Sequence, residues 1–280
     1  LSANAEMVGL LDKLGVDTVK AINLNSYLLN CNVTTASGTV TASEKYAGGL
    51  SGSLNNSFSV DSGINKSAAP QQENGSFNVN AQEYAGGIAG NASIAQSVSL
   101  GSEFYHGEKD LVTLISKLTS DIISGNEDSL LALTGVSPSI IAGNAINAEL
   151  TVSASNAYAG GFIGNGDGVK IIPLSSLADE SFIWKNHSDD LQFSVSENAQ
   201  NIISDLASVY AGEYAGGIAG RSTTASATGI LNKTLGLVNY LGFKVDSVTV
   251  RGKNDGFSVI TIFENKAGDY AGGAFGQAIG

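Results

Sequence analysis

Residues 46–52 read YAGGLSG, and the same frame returns as YAGGIAG at 84–90, YAGGFIG at 158–164, YAGGIAG at 214–220 and YAGGAFG at 270–276. Each copy is Tyr-Ala-Gly-Gly, two small or apolar residues, then Gly. Successive copies open 38, 74, 56 and 56 residues apart. Chance does not produce five such copies, so the chain is a repeat protein whose units bury their apolar faces by stacking on one another. The repeat positions are Tyr46, Gly48 and Gly49; Tyr84, Gly86 and Gly87; Tyr158, Gly160 and Gly161; Tyr214, Gly216 and Gly217; and Tyr270, Gly272 and Gly273. Their reading is structural. A glycine pair can take positive φ or let neighbouring backbones approach closely. A recurring tyrosine can stack its ring in a column and keep its hydroxyl at the surface.

Upstream of most copies the sequence alternates. Residues 31–43 read CNVTTASGTVTAS, 76–82 SFNVNAQ, 149–155 ELTVSAS and 245–250 VDSVTV, with a further run at 257–263. Alternation at period two, rich in Val and Thr, predicts half-buried strands. The unit is therefore a strand, a turn, and the glycine motif leading into another short strand. Thr35, Ser37, Thr39, Thr41 and Ser43 form a short polar row, read as a solvated face.

Amphipathic stretches between copies account for the uneven spacing. They fall at about 5–15, 110–135, 200–209 and 228–241, and their apolar spacing predicts inserted helices. In the second, Leu111, Leu114, Ile115, Leu118 and Ile122 share a face, with Asp110 as N-cap. Residues 61–73 and 169–190 read as longer loops.

The frame Tyr-x-Gly-Gly-x-x-Gly after a strand and turn resembles the GLUG-type repeats of bacterial cell-surface proteins. It departs from them in carrying Ala before the glycine pair. The resemblance covers the five motifs and their strands. It implies a mainly β fold, a right-handed parallel β-helix (solenoid) with short inserted α-helices, within a large secreted or wall-attached protein. It transfers no catalytic residue. On this reading residues 1–280 are a single β-solenoid fragment, flanked in the parent chain by further domains. A start at Leu1 without an initiator methionine fits a mature or excised piece.

Composition narrows the function classes. The chain carries 26 acidic and 14 basic residues, a net charge of −12, and its only arginines are Arg221 and Arg251. Nucleic acid is not an expected partner, because phosphate binding needs clustered Lys and Arg. No apolar run is long enough to span a bilayer, so membrane insertion is not expected. A single cysteine, Cys31, rules out an intrachain disulfide framework. Its place in an alternating run predicts a small, buried, apolar residue within a strand. Together these features point to a bacterial extracellular or cell-surface location.

No catalytic constellation stands out. His106 and His187 lie in polar segments outside any motif. Glu103, Glu108, Asp179, Glu180, Asp189 and Asp190 are candidate acids, but glycoside hydrolysis needs two carboxylates facing each other. One cysteine and two distant histidines do not make a zinc site. Residues 165–168 (NGDG) and 253–256 (KNDG) read as Asp-Gly turns rather than calcium loops. No cofactor, metal or catalytic residue is expected. The leading expectation is a structural or adhesive module, binding glycan or a host surface protein or serving as a stalk. The alternative is a carbohydrate-active β-helix enzyme, a polysaccharide lyase or hydrolase. A third reading is head-to-tail assembly through the open ends of the stack.

Overall fold

A computed structural model describes residues 26–35, 37–66, 76–93, 138–180, 184, 199–223, 243–254, 256–261 and 270–279. The chain makes five similar passes. The first gives β1 (Ser26–Leu29), β2 (Asn32–Thr35), β3 (Gly38–Thr41), β4 (Tyr46–Gly48) and β5 (Ser51–Asn55). The second gives β6 (Ser57–Val60), β7 (Gly63–Lys66), β8 (Ser76–Ala81), β9 (Tyr84–Gly86) and β10 (Ala89–Ser93). The third and fourth merge the two middle strands. They comprise β11 (Ile140–Ala142), β12 (Ala145–Ala154), β13 (Tyr158–Gly160) and β14 (Ile163–Asp167), then β15 (Lys170–Ile172), β16 (Asn201–Ala211), β17 (Tyr214–Gly216) and β18 (Ala219–Thr223). The fifth gives β19 (Lys244–Val245), β20 (Val248–Gly252), β21 (Ser258–Thr261), β22 (Tyr270–Gly272) and β23 (Phe275–Ile279).

Each pass contributes to the same four sheets in the same order. The first sheet is β1-β6-β11-β15-β19. The second is β2-β7-β12-β16-β20, joined by β3, β8 and β21. The third is β4-β9-β13-β17-β22, and the fourth β5-β10-β14-β18-β23. Strands pair in parallel with their counterparts in the next pass, as in Tyr84 with Tyr158 and Asn91 with Asn165. The protein is thus mainly β, built of stacked parallel sheets, an arrangement compatible with a β-helix.

Parallel pairing in register turns the sequence alternation into axial columns. Val40, Val79, Val152, Val209 and Val259 lie one above another on the second sheet. Val33, Ile64, Ile146, Ile203 and Val250 form a second column. The interior members Ile64, Val79, Ile146, Val152, Ile203 and Val209 are fully buried. Each such side chain contributes about 1.5–3 kcal/mol on leaving water.

Three expectations are corrected here. Residues 200–209 are not a helix but most of β16. Ile202, Ile203, Leu206 and Val209 mimic helical spacing because the ladder with β12 is irregular around Leu206, which shifts the alternation by one residue. Residues 169–190 are not simply a loop. They hold β15, a 3-10 turn at Leu174–Ser176 and one short helix, α1 (Leu177–Glu180). Likewise 61–73 begins with a corner and continues into β7. The stretches at 5–15, 110–135 and 228–241 lie outside the described residues.

Helix α1 explains the first sheet, whose inner strands β6, β11 and β15 show no alternation because both faces are buried. Ile141 and Ile171 face the main core. Phe58, Val60, Ile140, Ala142 and Ile172 face outward, beneath Leu174, Leu177 and Trp184. Phe58 stacks on Tyr27 at 5.2 Å between ring centres and meets the Trp184 ring at 6.0 Å.

Lys170 shares this outer face and is almost fully buried. Its ammonium donates to a Glu180 carboxylate oxygen at 2.9 Å and to the Glu180 carbonyl at 3.1 Å. Lys244 holds the other carboxylate oxygen. Burial pushes the Glu180 carboxyl up, but the hydrogen bonds from Lys244 and Lys170 outweigh it and leave the group below its ordinary value. A depressed carboxyl stabilises the fold above its unfolded pKa and loses that contribution as pH falls through the folded value. Glu180→Gln should therefore cost about 2–3 kcal/mol at neutral pH, because it removes the carboxylate charge that pairs with two lysines, one of them buried, and progressively less in acid. Lys170→Met should fall within about 1 kcal/mol of wild type, since methionine replaces the buried stem and removes the charge. Urea unfolding at neutral and acidic pH measures both.

Candidate binding face

The glycine motif builds the corner between the third and fourth sheets, and it does so by close approach. A Cβ on Gly161 would lie 2.0 Å from the Gly217 carbonyl oxygen, and one on Gly87 2.1 Å from that of Gly161. The last glycine of each copy closes the corner from the other side. A Cβ on Gly90, Gly164, Gly220 or Gly276 would stand 2.7 Å from the backbone nitrogen of Ala47, Ala85, Ala159 or Ala215 in the preceding pass. Positive φ occurs elsewhere. Asn30, Asp61, Gly143 and Ser247 take it at the corner between the first and second sheets, and Asn56 and Gly168 between the fourth and first. Asn, Asp and Gly suit such turns because they tolerate the left-handed region.

Immediately after the first of these turns a buried polar ladder runs along the axis. Cys31 N–H donates to Ser62 Oγ at 3.0 Å, Ser62 N–H to Asn144 Oδ1 at 3.1 Å, and Asn144 N–H to Asn201 Oδ1 at 2.9 Å. Each corner amide, which the turn removes from the strand ladder, thus finds an acceptor one pass away. Cys31 corrects a further expectation. It sits between β1 and β2, not in a strand, and it is exposed. Its pass is the outermost, so nothing stacks on its far side among the described residues.

The five motif tyrosines form one column on the lateral surface. Ring centres are 4.9 Å apart from Tyr46 through Tyr84 and Tyr158 to Tyr214, and 5.6 Å from Tyr214 to Tyr270. Stacked this closely, the inner rings cover one another's faces and offer only edges and hydroxyls. A sugar stacks on a ring face, so the column is packing, not an aromatic platform. Burial pushes the phenols of Tyr84 and Tyr158 above their ordinary value. Neighbouring phenols and carboxylates add to this, and Arg221 opposes it. Both therefore remain hydrogen-bond donors at neutral pH.

Beside the tyrosines, on the outward side of the fourth sheet, runs a polar column: Ser53, Asn91, Asn165, Arg221 and Gln277. Asn91 Nδ2 donates to Ser53 Oγ at 3.3 Å, and Asn165 Nδ2 to Asn91 Oδ1 at 2.9 Å. The chain of bonds then breaks. Arg221 Nε donates onward to Gln277 Oε1 at 3.2 Å, and its guanidinium lies 5.6 Å from the centre of the Tyr158 ring. Asn165 Oδ1 is left buried without a hydrogen-bond partner. Next to it, Asp167 accepts from Thr223 Oγ1 at 3.0 Å. Burial raises the Asp167 carboxyl, against the lowering by Thr223 and Arg221. Every member of the Ser53 column directly follows the last glycine of its motif. That fixed offset from the motif makes the column legible in the sequence.

The other candidates do not converge. His106, His187, Glu103, Glu108, Asp189 and Asp190 lie outside the described residues, and Glu180 is engaged by two lysines. Asn165 and Asp167 belong to β14, and Asp255 lies outside the described residues. Among the described residues no three His, Cys, Asp or Glu side chains cluster to hold a metal ion, and no helix is long and apolar enough to cross a membrane. An open depression on the second sheet is lined by Ser204, Asp205, Val250, Arg251 and Phe257.

Comparison of the chain with protein-family models, with curated proteins and with solved structures finds no match in any of the three.

Proposed function

We propose that the chain is a structural and adhesive module of a bacterial secreted or cell-surface protein, a right-handed parallel β-helix that serves as a stalk and presents a polar lateral face to a glycan or host surface protein. The stalk reading rests on columns of identical residues that run unbroken through all five passes. At about 4.8 Å per pass they make a stiff rod that lengthens by repetition. Right-handed connection is the rule for parallel strands joined in one direction.

The adhesive reading rests on one observation, the break in the polar column at Asn165 and Arg221. Elsewhere on this face, among the described residues, no buried side-chain polar atom lacks a partner. Here an acceptor has no partner and a guanidinium is held by a side-chain amide and a ring face. A hydroxyl-rich ligand supplies acceptors for the Arg221 guanidinium, which occupies the column where Asn165 Oδ1 lacks a donor.

The test is an array of neutral and acidic oligosaccharides with immobilised matrix proteins. Saturable binding that falls at least tenfold in Arg221→Ala, with the fold retained, supports the adhesive reading. Release of reducing ends or unsaturated products from the same polysaccharides would contradict it in favour of an enzyme. A blank array removes the adhesive half and leaves the stalk.

A further inference from the structure

Among the described side chains three cations are partly or wholly withdrawn from solvent: Lys170, Arg221 and Lys253. Two of them are neutralised, Lys170 by Glu180 at 2.9 Å and Lys253 by Glu149 at 2.7 Å. Arg221 is not. Its Nε donates to Gln277 Oε1, a neutral amide, and its guanidinium lies against the Tyr158 ring. Asp167 is close enough for the guanidinium to lower its carboxyl, yet it accepts from Thr223 Oγ1 instead of forming an ion pair. A partly desolvated charge without a counter-ion is costly, and an amide with a ring face replaces only part of the water it has lost.

The bond to Gln277 uses one edge of the guanidinium, and among the described residues no hydrogen bond engages its two terminal amino groups. A guanidinium presents its donors as a planar fork, and a carboxylate is the acceptor that takes two of them at once. A neutral hydroxyl fills one donor and leaves the charge unbalanced. The neighbours of Arg221 in the inner passes are neutral and polar: Asn91 and Asn165 in its own column, Tyr84 and Tyr158 on one side, Ser93 and Thr223 on the other. Such groups suit sugar hydroxyls. A dense polyanion is disfavoured by Asp167 on the same face and by the net charge of −12.

We infer that this face takes a glycan whose carboxylates are spaced among neutral hydroxyls, and that the Arg221 fork grips one of those carboxylates. The inference rests on the binding face proposed above and names the class of ligand it takes. Gln277 is then a positioning residue, which holds the guanidinium by Nε and leaves the other donors to the ligand.

The test titrates the full chain with uronate and sialylated oligosaccharides, each beside its own methyl ester. A polyglutamate peptide and a densely sulfated oligosaccharide are the further arms. An acidic oligosaccharide should bind, and its ester at least about tenfold more weakly. Arg221→Lys should lose a similar factor, because an ammonium keeps the charge but not the fork. Gln277→Glu is the most discriminating variant. It retains an acceptor for Nε and supplies a counter-ion from within, so melting should not fall. Affinity for the acidic oligosaccharide should drop at least about tenfold, while that for the ester stays unchanged. Equal binding of acid and ester, both lost in Arg221→Ala, would overturn the carboxylate inference and leave the adhesive reading standing. So would tighter binding of the peptide or the sulfated probe, or undiminished acid binding in Gln277→Glu. No binding by any probe, here or on the wider array, would remove the adhesive reading and this inference with it.

Discussion

Gly161→Ala should destabilise the protein by at least about 3 kcal/mol, although it adds a single methyl group. The methyl would lie 2.0 Å from the Gly217 carbonyl oxygen and 2.7 Å from Ile203 Cδ1. The isoleucine tip can turn aside, but the carbonyl cannot. It belongs to the backbone between β17 and β18 and accepts no shift without breaking the ladders on either side. The expected fall in melting temperature is roughly 6–12 °C for a chain of this size. Gly273→Ala supplies the internal control, since the same substitution at the same repeat position meets open space. Thermal unfolding followed by circular dichroism compares the two. Equal melting temperatures would show that the third and fourth passes do not touch at this glycine.

Asn144→Ala is the second large effect, at about 3 kcal/mol. Its side chain accepts the Ser62 N–H and donates to Ser59 Oγ, and all three residues are buried. Truncation leaves those groups without partners, at about 1–3 kcal/mol for each that stays unsatisfied. Asn147 supplies the contrast. It too belongs to an axial ladder, donating to Asn65 Oδ1 and accepting from Ser204 Oγ, but both bonds are exposed. Asn147→Ala should stay within about 0.5 kcal/mol of wild type. Chemical denaturation measures both, and hydrogen exchange at the Ser62 amide should accelerate only in Asn144→Ala.

The parts of the fold that were legible are those that repeat at a fixed offset. Tyr-Ala-Gly-Gly marks the third sheet and the last glycine opens the fourth, so both follow from five copies of seven residues. The second sheet is legible in part, because its core-facing residues alternate with polar ones in 31–43, 76–82 and 149–155. The first sheet was invisible. Its strands are two to four residues long and the inner three are buried on both faces, so SFSV, IIA and KII carry no period. The helix expected at 200–209 failed because an irregular ladder imitates a helical spacing. The corner ladder through Ser62, Asn144 and Asn201 also escaped, since it lies at a different distance from the glycine motif in each pass. Cys31 was read as buried because it opens an alternating run, but it is the outermost member of that ladder. Of the proposed binding face, Tyr84 and Tyr158 were named from sequence. Asn165, Arg221 and Asp167 were met only as part of a turn motif or as scarce arginines. Stacking, which no local pattern reports, brings them together.

The architecture also bears on the proposed binding face. The outward column of the third sheet is Tyr in every pass, whereas the Ser53 column of the fourth changes from Ser through Asn to Arg and Gln, so a ligand on that proposed face would meet a row of polar groups rather than an enclosed pocket. The interruption at Arg221 is therefore where selectivity on this face would reside.

The most direct test of the stacked architecture is a set of spin-label distances along the Ser53 column. In a Cys31→Ser background, labels at Ser53 and Asn165 sit two passes apart and labels at Ser53 and Gln277 four. With dilution by unlabelled protein to exclude contacts between molecules, the separations should be about 10 Å and about 19 Å, each as a narrow distribution. Such a doubling across a sequence gap that spans most of the chain is what one strand spacing per pass requires. A broad distribution, or a Ser53–Gln277 distance much beyond the four-pass value, would contradict it.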